Sequence, residues 1–377
     1  MRFATKLIHN GNEMDKNTGA LSIPIYQVST YHLRDIDQPQ EYEYSRSGNP
    51  TRKALEETIA ILEGGDKGFA FASGMAAISS VLSIFSSGDH IIVSQDVYGG
   101  THRIITSFFA RYHLSASFVD TTDIDAVKKS ITPNTRAIYV ETPSNPLLKI
   151  TDLRSIVKIA REHNLITIID NTFMSPYLQR PIELGFDIVI HSATKFIGGH
   201  SDVIGGLVVV KGAELSQRIY SVQNGFGAIL GPQDSWLLLR GLKTLKVRLD
   251  YQQDSAQKLA EYLQKNKNVK QVYYPGLQNH EGRDIHYSQA DGAGAVLSFK
   301  TIDAEKAKSF MKKIKLAAVA ASLGGIETIV SYPVKMSHAA VPKSERERLG
   351  ITDDLIRVSV GLEDIEDLIE DFEKALY

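Results

Sequence analysis

Asp187-Ile188-Val189-Ile190-His191-Ser192-Ala193-Thr194-Lys195-Phe196-Ile197-Gly198-Gly199-His200-Ser201 carries both the fold and the chemistry of this chain. An apolar run of strand length passes straight into two hydroxyls, a lysine and two glycines. Runs this short and this uniformly apolar suit strands buried on both faces of a mainly parallel sheet. The same pattern recurs at 68–71, 90–93, 115–119, 137–140, 166–169 and 206–210. Between these runs lie amphipathic stretches such as 152–163, with Leu153, Ile156, Val157 and Ala160 on one side and Asp152 as N-cap. The alternation predicts an α/β fold: a mainly parallel sheet covered by helices on both faces.

Outward from that sheet the pattern changes twice. Residues 1–55 are rich in Asn, Thr, Ser, Gln and Tyr, punctuated by Pro24, Pro39 and Pro50, and read as an extended N-terminal arm. The large α/β unit then spans 56–240. A long helical stretch from Pro232 to about Lys265 leads into residues 241–377, a smaller α+β C-terminal domain. Strands are expected there at 269–274 and 295–299, and helices at 303–314 and 364–376. In the last of these Ile365, Leu368, Ile369, Phe372 and Leu376 recur on one helical face.

The composition excludes several function classes. In 377 residues, 42 Lys plus Arg nearly balance 44 Asp plus Glu, so no global field favours nucleic acid or an anionic membrane surface. Any acidic ligand must be held locally. No cysteine is present, which removes disulfides, iron–sulfur clusters, thiolate zinc and a Cys nucleophile. The start Met1-Arg2-Phe3-Ala4-Thr5-Lys6 lacks the apolar core of a signal peptide. No apolar run approaches the ~20 residues that span a bilayer, so a cytoplasmic protein is expected.

In an open α/β sheet ligands gather beyond the carboxyl ends of strands, and Lys195 emerges at such an end. An uncharged lysine amine there can condense with an aldehyde, because burial or neighbouring cations readily lower its pKa. Ser192 and Thr194 can hydrogen-bond phosphate oxygens. Alone, a Ser-x-x-Lys is an ordinary surface lysine after a strand, and its companions decide the matter. Asp170 closes the run 165–169 and could pair with a pyridinium nitrogen, keeping the ring an electron sink; by itself it is also a plain strand-end cap. Phe71-Ala72-Ser73-Gly74-Met75-Ala76-Ala77 follows another apolar run and opens a helix, where backbone N–H groups face an anion. Tyr98, after the run ending near Val93, could stack on a planar heterocycle or simply pack.

Other chemistries lack their motifs. There is no P-loop, no dinucleotide fingerprint, no G-x-S-x-G elbow and no His-Glu-x-x-His pair. His280 and His286 fall in a stretch that reads as loop, and no metal site is expected.

With these residues in view, the chain resembles the transsulfuration, or Cys/Met-metabolism, pyridoxal-phosphate enzymes: cystathionine γ-synthase, cystathionine γ-lyase, cystathionine β-lyase and methionine γ-lyase. The resemblance covers essentially the whole length. Beside the 187–201 segment it is carried by Tyr44-Ser45-Arg46-Ser47-Gly48-Asn49-Pro50-Thr51-Arg52, Glu141-Thr142-Pro143-Ser144-Asn145-Pro146, Arg240-Gly241-Leu242-Lys243-Thr244-Leu245 and Leu355-Ile356-Arg357-Val358-Ser359-Val360-Gly361.

The resemblance implies an aspartate-aminotransferase-like, fold type I architecture with pyridoxal 5'-phosphate as cofactor. Lys195 would hold the cofactor as a Schiff base and Asp170 would pair with its ring nitrogen. Tyr98 would stack on the ring and take part in catalysis. Gly74, Met75, Ser192 and Thr194 would hold the phosphate, joined by Tyr44 and Arg46 from a neighbouring subunit. Arg357 would clamp the substrate α-carboxylate, with Asn145 and Ser322 lining the pocket and Glu43 meeting a distal ammonium. The family assembles as homotetramers, dimers of dimers with shared active sites. Ala321-Ser322-Leu323 departs from the Glu-Ser-Leu of γ-lyases and from the γ-synthase pattern. That makes γ-lyase activity less secure, and because the overall run of the sequence resembles bacterial cystathionine β-lyases, the resemblance implies β-cleavage of cystathionine, with γ-cleavage, γ-replacement on an O-acylhomoserine, and a non-catalytic cofactor binder as alternatives.

Overall fold

In the computed structural model, which describes residues 1–377 apart from 12–14, 16, 17 and 340, the apolar runs become strands of one seven-stranded sheet. These are β1 (Lys67–Phe71), β2 (His90–Ser94), β3 (Ser115–Val119), β4 (Thr135–Glu141), β5 (Ile166–Asp170), β6 (Ile188–Ser192) and β7 (Gly206–Val210). Their order is β1-β7-β6-β5-β4-β2-β3. The pairings β2 with β3, β2 with β4, β4 with β5 and β5 with β6 are parallel, and β7 runs against both its neighbours.

The reason the strands are apolar at successive positions lies in two separate cores. Along β4, Ile138 and Val140 belong to the same core as Leu55, Ile59 and Leu62 of the helix Pro50–Glu63. Ala137 and Tyr139, on the opposite face, belong to the core that also holds Ala77, Ile78 and Val81 of the helix Gly74–Leu82. Side chains alternate between faces, so a strand covered on both must be apolar at every position. Each fully buried Val, Leu or Ile contributes about 1.5–3 kcal/mol. The helix Leu153–Glu162 starts where Asp152 accepts from the Ser155 N–H at 3.1 Å.

A second sheet holds β8 (Val269–Tyr273), β9 (Val296–Thr301), β10 (Ala318–Val319), β11 (Ile329–Ser331) and β12 (Leu355–Ser359) in the order β10-β11-β12-β9-β8. Phe299 of β9, Phe310 of the helix Ala304–Lys313 and Phe372 of the helix Ile365–Leu376 meet in its core.

Several expectations are corrected. The 1–55 stretch is not extended throughout: Phe3–His9 is helical, and the helix Pro50–Glu63 begins inside it. Asn49 caps that helix by accepting from the N–H groups of Thr51 and Arg52, with Pro50 at the first position. The helical stretch 232–265 is two helices, Pro232–Lys243 and Leu245–Lys265, broken at Thr244, so a division at 240/241 cuts the first of them. Strand β3 is half-exposed and lies at the sheet edge with one neighbour. His286 is on a helix, Arg283–Gln289, and is buried with its Nε2 at 2.8 Å from the Gly292 carbonyl. Burial pushes its pKa down to about 4. Among the described residues no helix is long and apolar enough to cross a membrane.

Candidate active site

Strands β4, β5 and β6 end side by side on Glu141, Asp170 and Ser192. Tyr139, Ile168 and Ile190, two positions earlier on each strand, all belong to the core under the helix Gly74–Leu82. The period of two therefore turns Glu141, Asp170 and Ser192 toward that same face. His191 points the other way, and its Nε2 lies 2.6 Å from the buried carboxylate of Glu63.

Asp170 is buried, and its Oδ1 accepts from the Thr172 hydroxyl at 2.5 Å and the Thr172 N–H at 3.1 Å. The Thr172 oxygen in turn accepts from the Ser192 N–H at 2.8 Å. Burial holds the Asp170 carboxyl above the usual carboxylate range, although the Thr172 donors and the neighbouring His191 oppose that. A carboxylate so placed gains from a cationic partner.

Lys195 follows β6 in a turn and donates from Nζ to the Ser322 hydroxyl at 2.6 Å. Burial, assisted by the positive charge of Arg357, pushes its pKa down to about 8. Arg357 stands on β12 in register with Ser331 of β11. Its Nη1 donates to Asn145 Oδ1 at 3.0 Å, and its Nη2 to the Ser322 carbonyl at 2.7 Å and the Ser331 hydroxyl at 3.1 Å. The guanidinium is 4% exposed and its Nε has no partner among the described residues. Burial lowers its pKa to about 10, which leaves it charged at neutral pH. A buried fork with a spare donor suits a carboxylate ligand.

The helix Gly74–Leu82 supplies a further anion-binding feature. Ser73 caps it by accepting from Ala76 N–H at 3.0 Å, and the first-turn N–H groups of Gly74 and Met75 lie outside the helical ladder. A Cβ on Gly74 would sit 3.0 Å from the Ser192 hydroxyl, so only glycine allows this approach without displacement. Thr194 accepts from Gly205 N–H at 3.0 Å. Tyr98 is 40% exposed, and its ring lies against Gly100, where a Cβ would meet it at 2.4 Å and the Met75 sulfur at 2.8 Å.

A family model described as Cys/Met metabolism PLP-dependent enzyme matches residues 4–377. The chain belongs to that family. It is 56% identical over 372 residues to the cystathionine β-lyase of Bacillus subtilis (strain 168), covering 99% of this chain and 95% of that one. It is 50% identical over 376 residues to the cystathionine γ-lyase of the same organism, covering 100% and 99%. The crystal structure of cystathionine γ-lyase from Lactobacillus plantarum complexed with L-serine superposes with a TM-score of 0.97 at 49% identity, covering 100% of this chain and 98% of that one.

The residues present fit the family's cofactor, pyridoxal phosphate. A depressed lysine amine suits its aldehyde, a buried carboxylate its ring nitrogen, and a glycine-opened helix start its phosphate. No described contact joins Glu43, Tyr44 or Arg46 to this cluster. All three are exposed. Arg46 Nη1 donates to the Asn224 carbonyl at 2.7 Å and its side-chain oxygen at 3.0 Å. Two members of the cluster were missed by sequence reasoning. Glu141 ends an apolar strand as Asp170 does, and that shared pattern is the signal by which it could be found. Thr172 carries no signal beyond standing two residues after Asp170.

Proposed function

We propose that this protein is a pyridoxal-phosphate-dependent carbon–sulfur lyase acting in the cytoplasm, and that its reaction is β-cleavage of L-cystathionine to homocysteine, pyruvate and ammonia. The observation that carries the lyase reading is that Ser322 ties Lys195 to Arg357, and the relatives named cystathionine β-lyase support β-cleavage. The amine that must take a proton from Cα and the guanidinium that must hold the α-carboxylate are fixed relative to each other by one residue.

When bound, the cofactor draws electrons from the substrate Cα, making its proton removable and a β-thiolate a competent leaving group. Lys195, with its Nζ oriented by the Ser322 hydroxyl, would take that proton as general base in its neutral form, which a pKa of about 8 makes accessible. Arg357 binds the α-carboxylate and Asn145 braces the guanidinium. Asp170 holds a proton at the ring nitrogen, and Tyr98 covers the ring. Gly74 and Met75 N–H groups and the Ser192 and Thr194 hydroxyls hold the phosphate. Tyr44 and Arg46, exposed on this chain, reach the phosphate of a neighbouring subunit in a homotetramer built as a dimer of dimers, and Glu43 beside them meets the distal ammonium of the substrate.

Relatives named for β- and for γ-cleavage are both close, and both reactions use the residues above. Incubation with L-cystathionine separates them. Pyruvate with homocysteine supports the proposal. 2-Oxobutyrate with cysteine replaces it with γ-cleavage, and turnover only of an activated homoserine with cysteine replaces it with γ-replacement. Bound cofactor without any product would leave a non-catalytic binder.

A further inference from the structure

Glu141 has no role in the scheme above, yet it touches most of its parts. It is the register partner of Asp170 on neighbouring parallel strands, and both side chains turn to the same face. Its Oε2 accepts from the Tyr98 N–H at 2.9 Å, and its carboxyl also accepts from the backbone N–H of Asn145. The Asn145 side chain in turn accepts from Arg357. One buried carboxyl thus braces the turn that carries Tyr98 and the residue that braces Arg357, beside the carboxylate meant for the cofactor ring.

The charge balance around it is negative. Asp170 faces it from β5 and Asp96 from the segment after β2, and these two carboxyls are the negative groups; Tyr139 on its own strand, whose hydroxyl burial keeps protonated, and Tyr98 in the turn it holds are the other titratable neighbours. Arg357 from β12 is the positive group acting on it. Two carboxylates sharing a buried site do not ionise together cheaply, and the one with the better donors keeps the charge. Each has two donors, but Asp170 has the short hydroxyl donor of Thr172 at 2.5 Å together with the Thr172 N–H, a stronger set than the two backbone N–H groups on Glu141. Burial, with Asp170 as the next cause, pushes the Glu141 carboxyl well above the usual range.

We propose that Glu141 is a positioning residue that works as a neutral carboxyl, holding Tyr98 and Asn145 in place while Asp170 alone carries negative charge toward the ring nitrogen of pyridoxal phosphate. This rests on the cofactor roles proposed above and is independent of which sulfur substrate is used. Ionised, Glu141 would place a second buried negative charge beside Asp170 and compete with it for the same cation. Neutral, it keeps its acceptor oxygens for Tyr98 and Asn145 without adding charge.

The test uses holoenzyme with glutamate isotopically labelled at the side-chain carboxyl, read by infrared or carbon NMR. A protonated-glutamate signal should persist through neutral pH and vanish in Glu141→Gln. Glu56, also buried with a raised pKa, is separated by a Glu56→Gln control. Glu141→Ala should lower kcat on the order of 10- to 100-fold, as for two hydrogen bonds lost, and alter the circular dichroism of the cofactor band. Glu141→Gln, uncharged but still an acceptor, should recover most of that loss. Gln as impaired as Ala, or no protonated signal in the wild type, overturns the neutral carboxyl. Wild-type kcat and dichroism in the Ala variant overturn the positioning role. If both Glu141 variants fail to fold, the labelled wild type and the Glu56→Gln control decide the charge state by themselves. Failure of the underlying cofactor assignment would appear separately, as cofactor not attached at Lys195 after borohydride reduction.

Discussion

The amine of Lys195 lies 2.6 Å from the hydroxyl of Ser322, and Ser322 holds a backbone φ of +93°. L-residues other than glycine rarely adopt that region, and such a conformation costs on the order of 1–3 kcal/mol. The surroundings enforce it: Gly324, two residues on, packs so closely on the Lys195 backbone that a Cβ would sit 2.5 Å from the Phe196 nitrogen. The strained residue therefore presents its hydroxyl to Lys195 and its carbonyl to Arg357 at once.

Ser322→Gly should consequently be more stable than Ser322→Ala by about 1 kcal/mol, because glycine relieves the positive φ and alanine does not. Both lose the Lys195 partner, so turnover should fall in both. Urea midpoints of the two variants provide the check; equal midpoints would show that no strain is stored at this position.

Rebinding of pyridoxal phosphate to the apoprotein should accelerate with pH and level off above about 8, following the Lys195 amine. The sign follows from chemistry: only the neutral amine attacks an aldehyde, and burial first, then Arg357, disfavours its protonated form. Arg357→Met should move the midpoint upward, since it removes a neighbouring positive charge. A midpoint in the ordinary lysine range would mean that the amine is solvated.

Borohydride reduction of the holoenzyme should fix the cofactor to Lys195, because only an imine offers a reducible C=N at that nitrogen. Peptide mapping reads the position directly. Lys195→Ala should bind substrate and cofactor together yet release product far more slowly, having lost the base.

Arg357→Lys should retain the cofactor but lose about 10- to 100-fold in kcat/KM, since a point charge replaces a planar fork that contacts the carboxylate through charge-assisted hydrogen bonds. Cofactor absorbance and kinetics on the same sample are the measurement. Loss of cofactor in this variant would assign Arg357 to the phosphate instead.

Arg46→Ala mixed with Lys195→Ala should regain activity once subunits exchange, because a mixed dimer carries one site with both residues intact. Random pairing of equal amounts makes about half the dimers mixed, each with one good site of two, so roughly a quarter of wild-type activity is the ceiling. If exchange is demonstrated and activity stays at the level of the separate variants, Arg46 serves its own subunit through its contact with Asn224.

The strands were legible because a sheet covered on both faces must be apolar at successive positions, and the run Ile188-Val189-Ile190 contributes to both cores. The helix at Leu153–Glu162 was legible for the same kind of reason: one buried face, one cap. Thr244, by contrast, breaks a stretch whose residues favour helix on either side, and nothing local marks it. The early start of the helix Pro50–Glu63 could have been read from Asn49-Pro50, an N-cap followed by a first-turn proline.

Local periodicity and residue chemistry determined from the sequence alone that this is an α/β protein with Lys195 and Asp170 at strand ends, because strand alternation and turn chemistry are short-range properties. Only the tertiary structure decided that Ser322 links Lys195 to Arg357 and that Glu141 stands beside Asp170 in register. Those relationships join residues far apart in the chain. They arise from strand order and from contacts of Ser322 and Arg357 of the second unit with Lys195 after β6 and Asn145 after β4, which no local pattern encodes.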